Sequence, residues 1–291
     1  MKPNTQNKKV PLPGELVNET VLLVQEDPLF ISPQGEGKYM GRLSAWVRCT
    51  TCNLRCAWAN PDGSVTLCDT SYSSHLPSYE RQAAQAVYDY LIDSNAPHVV
   101  VTGGEPTRQA ALLRLIDFIE ASGKRVTVET NGTHFFASNA TLISLSPKLS
   151  SSGAGLKLLS NPNYCQNDTD GFLEHQNSTP ALRAQLYAQY RDIHDQHRYV
   201  LKPLRATMDF YGPERYQFKF VAHSEDDLAE ILEKYIAPLA IPPQTVYLMP
   251  QGITHEQLQE RAAWVIEKCI KHGFHYSDRL HIRIYGNQTG V

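Results

Sequence analysis

Short runs rich in Val, Ile and Phe recur along this chain, each bounded by Gly, Pro or Asn and separated from the next by a longer stretch. They are "LSAWVR" (43–48), "HVVVTG" (98–103), "RVTVET" (125–130), "LISLS" (142–146), "YQFKFVA" (216–222), "TVYLMP" (245–250) and "LHIRIY" (280–285). Runs of this length and composition between turn formers read as buried strands. The stretches between them carry helical period. "SYERQAAQAVYDYLIDS" puts Ala83, Val87, Tyr90 and Leu91 on one stripe, and "QAALLRLIDFIEASG" ends in Gly123 as a C′ residue. "SEDDLAEILEKYIAP" opens on Ser224 as N-cap, and the segment from Thr254 closes in Lys, His and Gly. Parallel strands need crossovers, so the alternation predicts an α/β barrel or open parallel sheet.

Two segments break this rhythm. Residues 1–20 are polar and Pro-containing and are expected to be flexible. Residues 149–215 are polar and irregular, with one helix candidate in "PALRAQLYAQYRDIHDQH", and read as an insertion in a domain spanning 21–291. A chain of 291 residues with 42% apolar content can bury one large core. Its net charge of −3 offers no basic field, so no direct nucleic-acid contact is expected. The apolar runs are strand-sized, far below the roughly 20 residues of a membrane span. The first residues lack the apolar core of a secretory signal. The expectation is a cytoplasmic chain without membrane contact, where clustered thiols more often mean metal or catalysis than disulfides.

Four of the six cysteines fall in "RCTTCNLRCAWANPDGSVTLCDTSY", spaced C-x2-C-x3-C-x11-C at Cys49, Cys52, Cys56 and Cys68. A zinc ribbon would carry two C-x2-C pairs, and the second pair is missing. Three readings stay open on spacing alone: a four-thiolate zinc site, a set of buried apolar cysteines (the expectation for Cys165 and Cys269), and three thiolates on a [4Fe–4S] cluster with one iron free.

The stretch "CNLRCAW" resembles the opening of the radical S-adenosylmethionine signature C-x3-C-x2-C, with Ala59 standing where the third cysteine would be. Removing "ANPDGSVTL" (59–67) leaves "CNLRCAWCDTSY", which has that spacing. "SPQGEG" (32–37), "AWVR" (45–48), "VTGGEP" (101–106), "VETNGT" (128–133), "LSPK" (145–148), "YLMPQG" (247–252) and the terminal "YGNQTGV" follow in order. Together they resemble the 7-carboxy-7-deazaguanine synthase family of radical S-adenosylmethionine enzymes. The resemblance covers nearly the whole chain apart from its start and residues 149–215. It implies a partial (β/α)6 TIM-like barrel. It also implies conversion of 6-carboxy-5,6,7,8-tetrahydropterin to 7-carboxy-7-deazaguanine and ammonia, in queuosine-precursor or other 7-deazapurine synthesis. The cofactors implied are a [4Fe–4S] cluster, S-adenosylmethionine and Mg2+, with an electron donor such as flavodoxin and a homodimeric state. A glycyl-radical activase would leave "SPQGEG" and the tail without a role, and a four-cysteine zinc module would hold zinc without iron.

The resemblance also distributes roles. Cys52, Cys56 and Cys68 would bind the cluster and Cys49 would not. Gly103, Gly104, Glu129, Ser146, Pro147, Lys148 and Gln251 would contact S-adenosylmethionine. Pro33, Gln34, Gly35, Glu36, Arg48, Thr102, His281 and Val291 would border the pterin, and Thr70 would help hold Mg2+. The residue chemistry agrees. A carboxylate such as Glu36 accepts from a guanine-like edge, the planar fork of Arg48 matches a carboxylate, and a hydroxyl is a hard ligand suited to Mg2+. Each has a plainer structural alternative: a Gly-Gly turn, a helix cap at Glu129, a surface lysine at Lys148, or a packed histidine at His281.

Overall fold

The computed structural model describes residues 8–75, 79–164, 179–286 and 288. Its centre is a parallel sheet of β3 (Leu43–Cys49), β7 (His98–Gly103), β8 (Arg125–Thr130), β9 (Leu142–Leu145), β10 (Tyr216–Ala222), β11 (Val246–Pro250) and β12 (His275–Tyr276), paired in that order. Each of these strands lies beside its predecessor, the winding of a barrel, and the described strands form an open sheet. An antiparallel margin consists of β1 (Thr20–Val24) and β2 (Leu29–Pro33), both on β3, and β6 (Tyr79–Ala83), on β1. The parallel strands are buried on both faces, which is why they read as continuous apolar runs rather than alternating ones.

Helices Ala84–Asp93, Ala110–Ala121, Leu201–Tyr211, Glu225–Glu230 and His255–His272 fill most of the crossovers. Their ends are those the local chemistry favours. The Ser224 hydroxyl accepts from the Asp227 amide at 3.2 Å, Thr254 accepts from Gln257, and Gly123 takes φ +97° beyond its helix. The β8–β9 connection, residues 131–141, contains no helix, so the alternation is incomplete there.

Several expectations need correction. "LHIRIY" is a helix, Leu280–Tyr285, because the place beside β11 is taken by His275 and Tyr276, which leaves these residues no strand to join. The stretch before Ala84 is not helical but pairs with β1 as β6. The buried stripe is therefore Ala84, Val87, Tyr88, Leu91 and Ile92, with Ala83 exposed. Of residues 1–20, the first seven lie outside the described residues, and 8–20 make a few contacts with the fold. Leu16 is buried, the Tyr88 hydroxyl accepts from the Val10 amide at 3.0 Å, and Lys9 meets Asp89 and Asp93. Within the 149–215 excursion, Leu204, Met208 and Tyr211 of the last helix belong to the main core.

Among the described residues, that excursion also carries a helix at Ala154–Leu159 and a longer one at Pro180–His197. His194 in the longer helix is fully buried and shares a 3.0 Å hydrogen bond with Ser152. Burial, then the nearby Arg198, push its pKa down to about 3. An unfolded histidine titrates near 6.5, so as pH falls the opened segment takes up the proton first. The packing is therefore at full strength above about pH 6.5 and weakens below it, by on the order of 1–2 kcal/mol at pH 5. Hydrogen exchange over residues 180–197 should accelerate between pH 7 and 5, after correction for intrinsic rates, and His194→Gln should flatten that dependence.

Candidate active site

One cavity of about 220 Å³ opens at the C-terminal ends of the parallel strands, where an α/β sheet gathers its loops. Cys52, Cys56 and Cys68 line it. Cys49 does not. In a strand successive side chains alternate between faces, so Arg48 points to the cavity and Cys49 into the main core, with no exposure. The eleven residues between Cys56 and Cys68 are looped out as a hairpin, β4 (Ala57–Ala59) against β5 (Val65–Leu67), turning through Asn60–Ser64 with Gly63 at φ +81°. At its base the Cys68 amide donates to the Cys56 carbonyl at 3.0 Å, so the long spacing brings the two cysteines face to face. Burial, and next the charges of Glu105 on Cys52 and Asp69 on Cys68, push the thiols up, Cys68 to about 12. Burial raises Cys56 too, with the Lys148 ammonium opposing it.

The thiol loop is held by the turn after β7. Gly103 takes φ +118°, and any Cβ on Gly103 or Gly104 would collide with the backbone of Cys49 or Thr51. The Gly104 amide donates to Cys49 and the Glu105 amide to Thr51, at 2.9 and 2.8 Å. Glu105 is wholly buried and accepts from the hydroxyls of Thr107 and Thr130, both at 2.7 Å, and from the Asn131 amide. Asn131 in turn donates to Asn53 Oδ1 at 2.9 Å, beside Cys52. Gly104→Ala should therefore displace the thiol loop at a cost of about 1–3 kcal/mol. A lowered melting point together with faster alkylation of Cys52 is the expected signature.

The cavity also holds a chain of charges in which Lys219 and Arg279 are buried and Glu36, Glu129 and Asp69 are partly so. Lys219 of β10 is 2.6 Å from Glu36 Oε2 and 2.8 Å from Glu129 Oε2. Gln34 donates to the other Glu129 oxygen at 3.0 Å. Arg279 reaches Glu36 Oε1 at 3.1 Å and pairs with Asp69. Burial alone would raise Glu36, but Lys219, Arg279 and His281 outweigh it and hold its carboxyl well below the usual range. Gly35 lets His281 approach, since a side chain there would strike the imidazole.

The remaining predicted residues are close by. Arg48 lies 4.8 Å over the Phe30 ring, donates to the Tyr72 hydroxyl and keeps a buried Nε without a partner. Burial pushes Tyr72 up to about 12, so it stays a neutral hydroxyl. Thr70 Oγ1 is 3.4 Å from Cys68 Sγ. Lys148 donates to Ser146 at 2.8 Å, and Gln251 is gripped by Arg261. Pro33, Gln34, Gly35, Glu36, Thr102, Gly103, Gly104, Glu129, Ser146, Lys148, Gln251 and His281 all line the cavity. Pro147 is buried behind it, and Val291 lies outside the described residues. Lys219, Arg279, Tyr72 and Asn131 were not anticipated. Asn131 and Tyr72 lie inside the quoted "VETNGT" and "CDTSY", and for Lys219 the signal was a lysine inside the mostly apolar "YQFKFVA".

A sheet wound in barrel order, with three soft thiols and an ionised pocket on the loops after its strands, defines a cofactor-dependent α/β enzyme. No family model matches the chain. The chain is 35% identical over 280 residues to the 7-carboxy-7-deazaguanine synthase of Rhodopirellula baltica, covering 96% of this chain and 93% of that protein. It is 33% identical to the protein of that name from Halobacterium salinarum, over 89% of each. A crystal structure of QueE from Escherichia coli shares the fold with a TM-score of 0.57 at 20% identity, over 90% of this chain and 95% of that one. The chain belongs to the 7-carboxy-7-deazaguanine synthase family, and so to the radical S-adenosylmethionine lyases.

Proposed function

We propose that this chain converts 6-carboxy-5,6,7,8-tetrahydropterin to 7-carboxy-7-deazaguanine with release of ammonia. The observation that carries the reading is the convergence, in one cavity, of three thiols with an ionised Glu36 and the Arg48 guanidinium. The donor set fits the group expected there: Cys52, Cys56 and Cys68 are soft ligands, no fourth thiol among the described residues lines the cavity, and a [4Fe–4S] cluster held by three thiolates would keep one iron open. When bound, the cluster and S-adenosylmethionine supply the radical that takes hydrogen from the substrate.

The chain's own residues bind and orient. Gly103, Gly104, Glu129, Ser146, Pro147, Lys148 and Gln251 are assigned to S-adenosylmethionine, Lys148 by its charge and Glu129 by the lone pairs left beside Gln34 and Lys219. Arg48 offers its guanidinium to the pterin carboxylate, and its planar fork is set by Phe30 and Tyr72. Glu36, held ionised, accepts from the amino-pyrimidine edge, with Pro33, Gln34, Gly35, Thr102, His281 and Val291 around the ring. Thr70 supplies a hard oxygen to Mg2+, which binds together with the substrate carboxylate. Trp58, Thr66 and Leu67 of the hairpin wall the cavity against water. A cytoplasmic homodimer fed by a flavodoxin-type donor completes the reading, with residues 21–291 as the catalytic domain. Among the described residues no helix is long and apolar enough to cross a membrane.

The test is direct. Protein reconstituted anaerobically with iron and sulfide, reduced, and given S-adenosylmethionine and Mg2+ should turn the carboxypterin into 7-carboxy-7-deazaguanine. A brown, reducible protein that leaves the pterin unchanged would overturn the proposal.

A further inference from the structure

The stretch between Cys56 and Cys68 and the excursion after β9 pack on each other. Ala57 and Val65 of the hairpin share a buried cluster with Leu156, Leu159 and Tyr187 of the excursion, separate from the main core. Contact is closest at Gly155. A Cβ there would stand 2.7 Å from Val65 Cγ1 and 2.9 Å from the Ala57 backbone, so only glycine lets the helix lie on the hairpin. The Tyr164 hydroxyl donates to the Gly63 carbonyl at 2.9 Å, at the hairpin's tip.

A second line of contact runs through Tyr190. Its hydroxyl donates to the His75 carbonyl at 3.1 Å, while the His75 ring is 3.0 Å from the Cys56 carbonyl. The Tyr190 ring also carries Arg55 at 5.1 Å, and Arg55 donates to the Cys52 carbonyl at 2.7 Å. One tyrosine from the excursion thus touches partners of two of the three cavity cysteines.

A hairpin with strands of three residues is marginal on its own, and looping out eleven residues between two cysteines has an entropic cost. We propose that the excursion braces the thiol loop: the helices Ala154–Leu159 and Pro180–His197 back the hairpin so that Cys56 and Cys68 stay together at its base, with Gly155 and Tyr190 as the positioning residues. The brace is a packing statement about this chain, and its value to catalysis rests on the reading of those thiols as cluster ligands.

The full-length, cluster-free chain serves for the test, alkylated with iodoacetamide for graded times and read peptide by peptide. Gly155→Val and Tyr190→Ala should each speed alkylation of Cys56 and Cys68 on the order of tenfold, the factor a local opening gains when it becomes about 1.4 kcal/mol easier. Cys269, in the main core, should keep its rate, and Tyr190→Phe, which retains the ring over Arg55, should stay within about twofold of the parent. Iron retained after reconstitution and gel filtration should fall in the same order. Unchanged rates at Cys56 and Cys68 in both variants overturn the brace, and so does an equal rise at Cys269, which marks general loosening. If the parent holds no iron while the alkylation contrast appears, the brace stands and the cluster reading falls.

Discussion

Cys68→Ala is expected to abolish both iron retention and turnover, while Cys49→Ala keeps both. The contrast is sharp because the two thiols occupy different surroundings. Cys68 lines the cavity at the base of the hairpin, facing Cys56 across one backbone hydrogen bond. Cys49 is sealed in the core on the opposite face of β3. Losing a group that only orients a metal ligand typically costs about 10–100-fold in affinity or activity, and losing a ligand itself should exceed that. Removing the Cys49 sulfur leaves a small void worth about 1 kcal/mol, visible as a modest fall in melting temperature. The measurement is iron and sulfide per chain with the visible and electron paramagnetic resonance spectra of the reduced protein. A Cys68→Ala protein with a full cluster and parental turnover would sink the assignment, and a colourless Cys49→Ala protein would make Cys49 a ligand in its place.

That contrast also marks what a linear reading reaches. The stretch "ANPDGSVTL" was recognisable because removing it restores the C-x3-C-x2-C spacing, and the fold makes it a hairpin. The parallel strands were legible because burial on both faces leaves uninterrupted apolar runs. "LHIRIY" misled because six residues of alternating pattern do not say whether a strand position is free, and only the packing of His275 and Tyr276 beside β11 decides it. The motif residues of the cavity were readable because each is fixed locally, at a strand end or in a glycine turn. Lys219 and Arg279 were not. Each is a single cation whose meaning comes from carboxylates 90 or more residues away, Glu36, Glu129 and Asp69. No local pattern encodes that proximity.

The charge chain gives the second large effect, Lys219→Met. In the parent, Lys219 is enclosed and bridges Glu36 and Glu129. Burial alone would lower its pKa, but the two carboxylates raise it well above the usual lysine value. The signs then fix the pH window. Glu36, with its folded pKa depressed, contributes stability that is present above its unfolded value near 4.3 and lost as pH falls. Lys219, with its folded pKa raised, contributes below about 10.4 and loses that as pH rises through the folded value. The parent's melting temperature should therefore be flat in this respect between about pH 6 and 9. Methionine fills much of the same volume but leaves two carboxylates facing each other, with Arg279 the cation remaining on Glu36. Removing one partner of a buried ion pair costs about 3–5 kcal/mol, which for a chain of this size lowers melting on the order of 10 °C. One carboxylate should then take up a proton as pH falls, so the variant should regain stability from pH 8 to 6, where the parent does not change. Lys219→Arg, which restores the charge, should recover most of the loss. A Lys219→Met protein that melts with the parent, or whose deficit is the same at pH 6 and pH 8, would show that the bridge does not hold these carboxylates apart. On the proposed function the variant should also bind the pterin more weakly, raising KM more than it lowers kcat, because Glu36 loses one of the two cations that fix its carboxylate toward the amino-pyrimidine edge.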